Sequence, residues 1–316
     1  MTLRSAIPQR KERPLIGAAL AALCVCLYLA WPRAAADGVL AARDGIVVAR
    51  GVPALSGETI SLPRRTLLQG KLLLVSPQHP LPADFPLPNT RGIHAQVGSY
   101  LPAQADAALW PEAVYALCEM QLAWPLETGA ELTRGALSAA QQDAWQKAAF
   151  QRFAAVYPLE EALNRARAAV PGGGESEHQL GYALDFSLTG PLAVTQPDPL
   201  LRNDTGRWLS ENAWRYGWIY RYGPGSQAEG ACEGIHLRFV GKAHAAAMHA
   251  LGMELEEYLA LLRQERALTV SRDGQPWAYL FCAPCEGNWQ IALLPGTSLD
   301  ASADNTGWAV AAMVKQ

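Results

Sequence analysis

Four residues in two short stretches have the types and spacing of a metal-assisted hydrolytic site. SEHQLGYALDF, residues 176–186, holds His178 and Asp185, and EGIHLRFVG, residues 233–241, holds Glu233 and His236. Two imidazoles and one carboxylate give zinc three protein ligands and leave a fourth position for water, whose proton a spare carboxylate can manage. The expected ligands are therefore His178, Asp185 and His236, with Glu233 as the catalytic base.

The elements around these residues must hold them on one face. From Tyr182 the chain alternates: Tyr182, Leu184, Phe186 and Leu188 point to a core, and Ala183, Asp185 and Ser187 to the other side of a strand. In the second stretch Ile235, Leu237 and Phe239 alternate with His236 and Arg238, which puts Arg238 on the His236 face as a partner for a carboxylate. Glu233 falls in the loop leading into that strand. Pro111 suits a first helical position, and Ser138 with Gln141 reads as a capping box for a helix to about Val156, with Trp145, Ala149, Phe153 and Val156 as its apolar stripe. Further helices are expected over 159–170, over 203–216 closed by Gly217, and over 242–263 with a break near Gly252. KLLLVS, 71–76, reads as a buried strand, followed by a proline-rich loop. The Gly172–Gly174 run lacks a GK[ST] ending and precedes a strand, so it is expected as a flexible approach to the site.

The N-terminus points to export. PLIGAALAALCVCLYLAW, residues 14–31, is uncharged and just long enough to span a bilayer, and Arg4, Arg10, Lys11 and Arg13 precede it. A retained membrane anchor is the preferred reading; a cleaved signal peptide is the alternative, since Ala34–Ala36 resembles a cleavage site. The rest of the chain has 22 basic and 28 acidic residues and no basic patch with interleaved aromatics, which argues against nucleic acid as a partner. Cys24 and Cys26 fall in the apolar segment, while Cys282 and Cys285 spell a lone CxxC, read as a local disulfide or two idle thiols. The last fifty residues are strand-like runs between turn signals. The expected organisation is a tail (1–13), an anchor (14–31), a stalk with a strand or two (32–65), a zinc peptidase domain (66–263) and a small all-β module (264–316).

The paired motifs, SxHxxGxAxD-like and ExxH in this order, resemble the VanY-like zinc D-alanyl-D-alanine carboxypeptidases, which are LAS metallopeptidases. The similarity runs from about Leu72 to about Gly241. It implies an α+β fold in which a small antiparallel sheet with flanking helices carries a zinc cleft, as in hedgehog-like domains. It also implies zinc on His178, Asp185 and His236, Glu233 as base, and Ser176 and Gln142 on the peptide. The family's substrate-holding arginine falls at Leu137, so Arg134, three residues earlier, is the nearest substitute. The implied activity is removal of the terminal D-Ala from peptidoglycan stem peptides outside the cell. The alternatives are an L,D-carboxypeptidase or endopeptidase, and a non-catalytic zinc-containing module that binds cell wall. Retention of Glu233 favours an enzyme, because a binder has no use for a spare base. His79, His94, His244 and His249 read as structural or surface histidines.

Overall fold

Local signals set most of the helices. Pro111 opens α1 (Pro111–Ala123), and the reciprocal bonds of Ser138 and Gln141 open α2 (Ala139–Ala154). Then come α3 (Leu159–Ala169), α4 (Asp204–Asn212), α5 (Lys242–Leu251) and α6 (Leu255–Glu265). A 3₁₀ turn, Ala213–Tyr216, continues α4 and ends at Gly217 with φ +88, a left-handed cap that glycine adopts without strain. Gly252 ends α5 in the same way. The computed structural model describes residues 38–52, 58–62, 70–93, 107–123, 130–188, 204–221, 235–284, 289–293 and 297–314. The expected tail and anchor, Glu233, Cys285 and His94 lie outside these residues. Among the described residues no helix is long and apolar enough to cross a membrane.

In chain order the strands are β1 (Val39–Arg43), β2 (Ile46–Arg50), β3 (Glu58–Leu62), β4 (Arg91–Gly92), β5 (Ala108–Leu109), β6 (Ala130–Arg134), β7 (Ala183–Leu188), β8 (Trp218–Arg221), β9 (Ile235–Phe239), β10 (Ala267–Arg272), β11 (Gln275–Pro284), β12 (Trp289–Leu293), β13 (Thr297–Ala303) and β14 (Gly307–Val314). Among the described residues the fold is mixed, with antiparallel sheets and six helices. A four-stranded sheet, β6-β7-β9-β8, carries the residues of interest, and a six-stranded one runs β1-β2-β10-β11-β14-β13. The segments expected as stalk and as C-terminal module therefore share a sheet, because β2 pairs with β10 from Ile46↔Arg272 to Arg50↔Leu268.

Two cores flank these sheets. Leu184, Phe186, Ile235, Leu237 and Phe239 pack with α1 in one, while α5 and α6 pack on Val270, Leu280 and Ala311 in the other. KLLLVS runs between them, with Leu73 and Val75 in the first core and Leu72 and Leu74 in the second. It is buried as expected but is not a strand over its length. Side chains replace a neighbouring strand: Leu72 N–H donates to Ser302 Oγ (2.9 Å), and Asn305 bonds both polar groups of Leu74 (2.7 and 2.9 Å). Val156, expected on the buried stripe of α2, is 75% exposed because the helix has already ended at Ala154. The Gly172–Gly174 run is held on both sides, by Asp143 on Gly173 N–H and by Leu81 N–H on the Gly174 carbonyl. Cys282 is a buried free thiol.

Candidate functional site

One row of residues crosses the four-stranded sheet. Arg134 of β6 lies opposite Asp185 of β7, Asp185 opposite His236 of β9, and His236 opposite Arg221 of β8. Directly opposed residues in an antiparallel pair hold their side chains within contact range. Strand parity turns this row away from the core that Leu184, Phe186, Ile235 and Leu237 fill. His178 joins it from the 3₁₀ turn Glu177–Leu180, which Ser176 caps by accepting the His178 N–H (3.4 Å). Gly181 makes the turn into β7 at φ +72, where a Cβ would lie 2.9 Å from Trp110. A residue with a side chain would be both strained and crowded there.

His178, Asp185 and His236 are buried, and one ligand atom from each falls within 4.8 Å of the others. The histidine nitrogens are assigned by their outer partners. His178 Nδ1–H donates to the Gly135 carbonyl (2.7 Å), leaving Nε2 on the Asp185 side at 3.2 Å from Oδ2. His236 presents Nδ1 to Asp185 Oδ1 (2.6 Å), and its Nε2 meets Glu177 Oε2 (3.1 Å). The two rings stand nearly edge to face, with centroids 5.0 Å apart. Two imidazoles and a carboxylate, buried, convergent and held from behind by an acceptor on each ring, form the donor set that suits zinc.

The surrounding charges are all compensated. Burial by itself raises the Asp185 and Glu177 carboxyls. For Asp185 the neighbouring His178 and His236 outweigh it, and for Glu177 the Arg221 and Arg238 guanidiniums do. Both stay ionised, below the usual carboxylate range. Burial also disfavours a charged His236, but Asp185 and Glu177 overcome that and push the ring up to about 9. The two carboxylates therefore favour positive charge at the His236 ring.

The other expected residues are also placed. Arg134 reaches Asp185 Oδ2 (3.4 Å), and its guanidinium lies 3.6 Å from the centre of the Trp145 ring. Arg238 is wholly buried, beside Glu177 (3.4 Å) and bonded to the carbonyls of Lys71 and Leu73. Gln142 is buried on α2, donating to the Pro171 carbonyl (2.8 Å), while its Oε1 lacks a partner among the described residues. Leu137 donates its N–H to the His178 carbonyl (3.2 Å), so backbone rather than a guanidinium faces the site there. Sequence reasoning missed Glu177 and Arg221. Glu177 sits next to His178, and Arg221 ends a strand in which Trp218 marks the core parity. Only the pairing of β8 with β9 brings the two together. His244 and His249 stand apart from the site, on Tyr258 and on Trp214 with Asp44 respectively.

Comparison with known proteins covers this region. Residues 109–242 match the family model described as VanY, D-alanyl-D-alanine carboxypeptidase. A D-alanyl-D-alanine carboxypeptidase of Enterococcus faecium is 34% identical over 142 residues, 43% of either chain. A protein of the same name from Enterococcus faecalis (strain ATCC 700802 / V583) is 31% identical over 195 residues, 60% of this chain and 65% of the relative. The matches thus span less than two thirds of these relatives. Among solved structures, the vancomycin-resistance D,D-dipeptidase VanXYg, crystallised with a D-Ala-D-Ala phosphinate analogue, superposes with a TM-score of 0.67. It covers 81% of this chain and 98% of that one at 18% identity, a likeness of fold.

Proposed function

We propose that this chain, which is VanY-like over residues 109–242, is a zinc-dependent D,D-carboxypeptidase that removes the terminal D-Ala from peptidoglycan stem peptides. The observation that carries the reading is the convergence of His178, Asp185 and His236 within 4.8 Å on one face of the sheet, beside the guanidinium of Arg134. The names of the curated relatives support the same substrate class.

His178 Nε2, an Asp185 oxygen and His236 Nδ1 would hold the ion. Zinc held there supplies Lewis acidity toward water and the scissile carbonyl. The remaining work falls to the chain's own groups. Glu233 takes the proton of the attacking water and returns it to the departing amine of D-Ala. Arg134, kept in place by the Trp145 ring, pairs with the terminal carboxylate that distinguishes a carboxypeptidase substrate. Gln142 and Ser176 hydrogen-bond the peptide backbone, and the Gln142 Oε1, which has no partner among the described residues, supports that role. The apolar run of residues 14–31, preceded by basic residues, supports a catalytic region outside the cell membrane, where the substrate lies.

The test is direct. Purified protein incubated with a stem pentapeptide ending in D-Ala-D-Ala is expected to release one equivalent of D-Ala. Chelator stops the release, added zinc restores it, and Glu233→Gln abolishes it while zinc is still bound. Zinc-loaded protein that leaves the pentapeptide intact would overturn the proposal. Cleavage confined to a tetrapeptide or a cross-bridge would reassign the specificity.

A further inference from the structure

Behind His236 lies a buried chain of charges. Glu177, with 1% of its side chain exposed, uses both carboxylate oxygens: Oε2 toward His236 Nε2 (3.1 Å), and Oε1 toward Arg221 (3.1 Å) and Arg238 (3.4 Å). Arg221 also reaches out of the sheet and forks onto Glu256 in the first turn of α6, with bonds of 2.8 and 2.7 Å. Arg238 anchors the same carboxylate from the other side through the Lys71 and Leu73 carbonyls.

Stability alone gives little reason to bury these ions. Desolvating a carboxylate and two guanidiniums costs much of what their attraction returns, and apolar residues of similar volume commonly serve as well. The arrangement does bear on one chemical matter, namely where His236 keeps its proton once an ion is bound. Each ring nitrogen faces an ionised carboxylate, Nδ1 that of Asp185 (2.6 Å) and Nε2 that of Glu177 (3.1 Å); an ion shared by Nδ1 and Asp185 would displace the proton on that side, and Glu177 would hold the remaining one on Nε2.

We propose that Glu177 is a positioning residue which fixes the His236 tautomer and ring direction for metal binding, and that Arg221 and Glu256 set the place of Glu177, so that α6 is coupled to metal affinity. This rests on the zinc reading above and adds Arg221 and Glu256, which neither sequence motif contains.

The experiment uses full-length protein and measures zinc affinity by competition with a chromophoric chelator, without reference to turnover. Glu177→Ala is expected to weaken zinc about 10–100-fold. Glu256→Ala, distant from the ion and half exposed, is expected to weaken it about threefold or more, in keeping with its outer place in the chain. Glu256→Gln, which keeps one acceptor for Arg221, should recover part of that loss. Because Glu177→Ala strands two buried guanidiniums, a second measurement avoids reliance on its folding. In zinc-loaded wild type with ¹⁵N-labelled histidine, His236 should show a protonated Nε2 and an unprotonated Nδ1. The opposite tautomer, or zinc affinity unchanged in Glu256→Ala, would overturn the proposal. Failure of the wild type to bind zinc would instead overturn the zinc reading, and this proposal with it.

Discussion

His244 provides a quantitative test of the packing behind the site. It lies on α5, 1% exposed, with Nδ1 2.6 Å from the Tyr258 hydroxyl and the two rings edge to face. Burial pushes the Tyr258 phenol well above its usual range, so it stays protonated and donates to Nδ1. Burial, reinforced by the Lys71 ammonium, lowers the His244 ring from 6.5 to about 3. The unfolded chain therefore binds this proton more readily. The neutral ring's contribution is fully present above pH 6.5 and drains away as pH falls toward 3. For pKa values of 6.5 and 3 the loss between pH 7.5 and 5.5 is about 1.4 kcal/mol. Urea unfolding of wild type and His244→Gln at both pH values isolates this group, since glutamine keeps an acceptor for Tyr258 but does not titrate. Every other titrating group, His236 included, cancels in the comparison. The wild type should lose about 1.4 kcal/mol more than the variant across that interval. Equal losses would show that His244 titrates in the folded protein as it does in the unfolded chain, and the reasoning would fail.

Three further outcomes follow from named contacts. Arg134→Leu should lower kcat/KM for a pentapeptide about 10–100-fold, mainly through KM, because a charge-assisted bond to the substrate carboxylate is lost. Trp145→Leu, which removes the surface 3.6 Å from the guanidinium, should give a smaller loss of the same kind; steady-state kinetics reads both, and an unchanged KM in Arg134→Leu would remove its assigned role. Ser302→Ala should cost about 1–3 kcal/mol in urea unfolding, because the buried Leu72 N–H is left without its acceptor.

Short-range chemistry was legible in the residues themselves. Pro111 and the Ser138–Gln141 box start their helices, Gly217 and Gly252 end theirs, and the alternation around Asp185 and His236 separates the core face from the polar face. Each of these depends on contacts within a few positions, so the residue types themselves contain the instruction. Val156 shows the limit: periodicity carried the stripe past the point where the α2 backbone had left the helix. What the tertiary structure alone decided is the alignment of distant segments. Arg134, Asp185, His236 and Arg221 form one row only because three antiparallel pairings share a register. Slipping any of them by one residue would turn that strand's side chains to the opposite face. Glu177 acquires its partners from β8, β9 and α6 by the same alignment, and the strands at residues 39–50 complete a sheet begun more than two hundred positions later. No local pattern encodes such pairings, because the free energy that selects a register comes from burying whole faces together rather than from the residues adjacent in the chain.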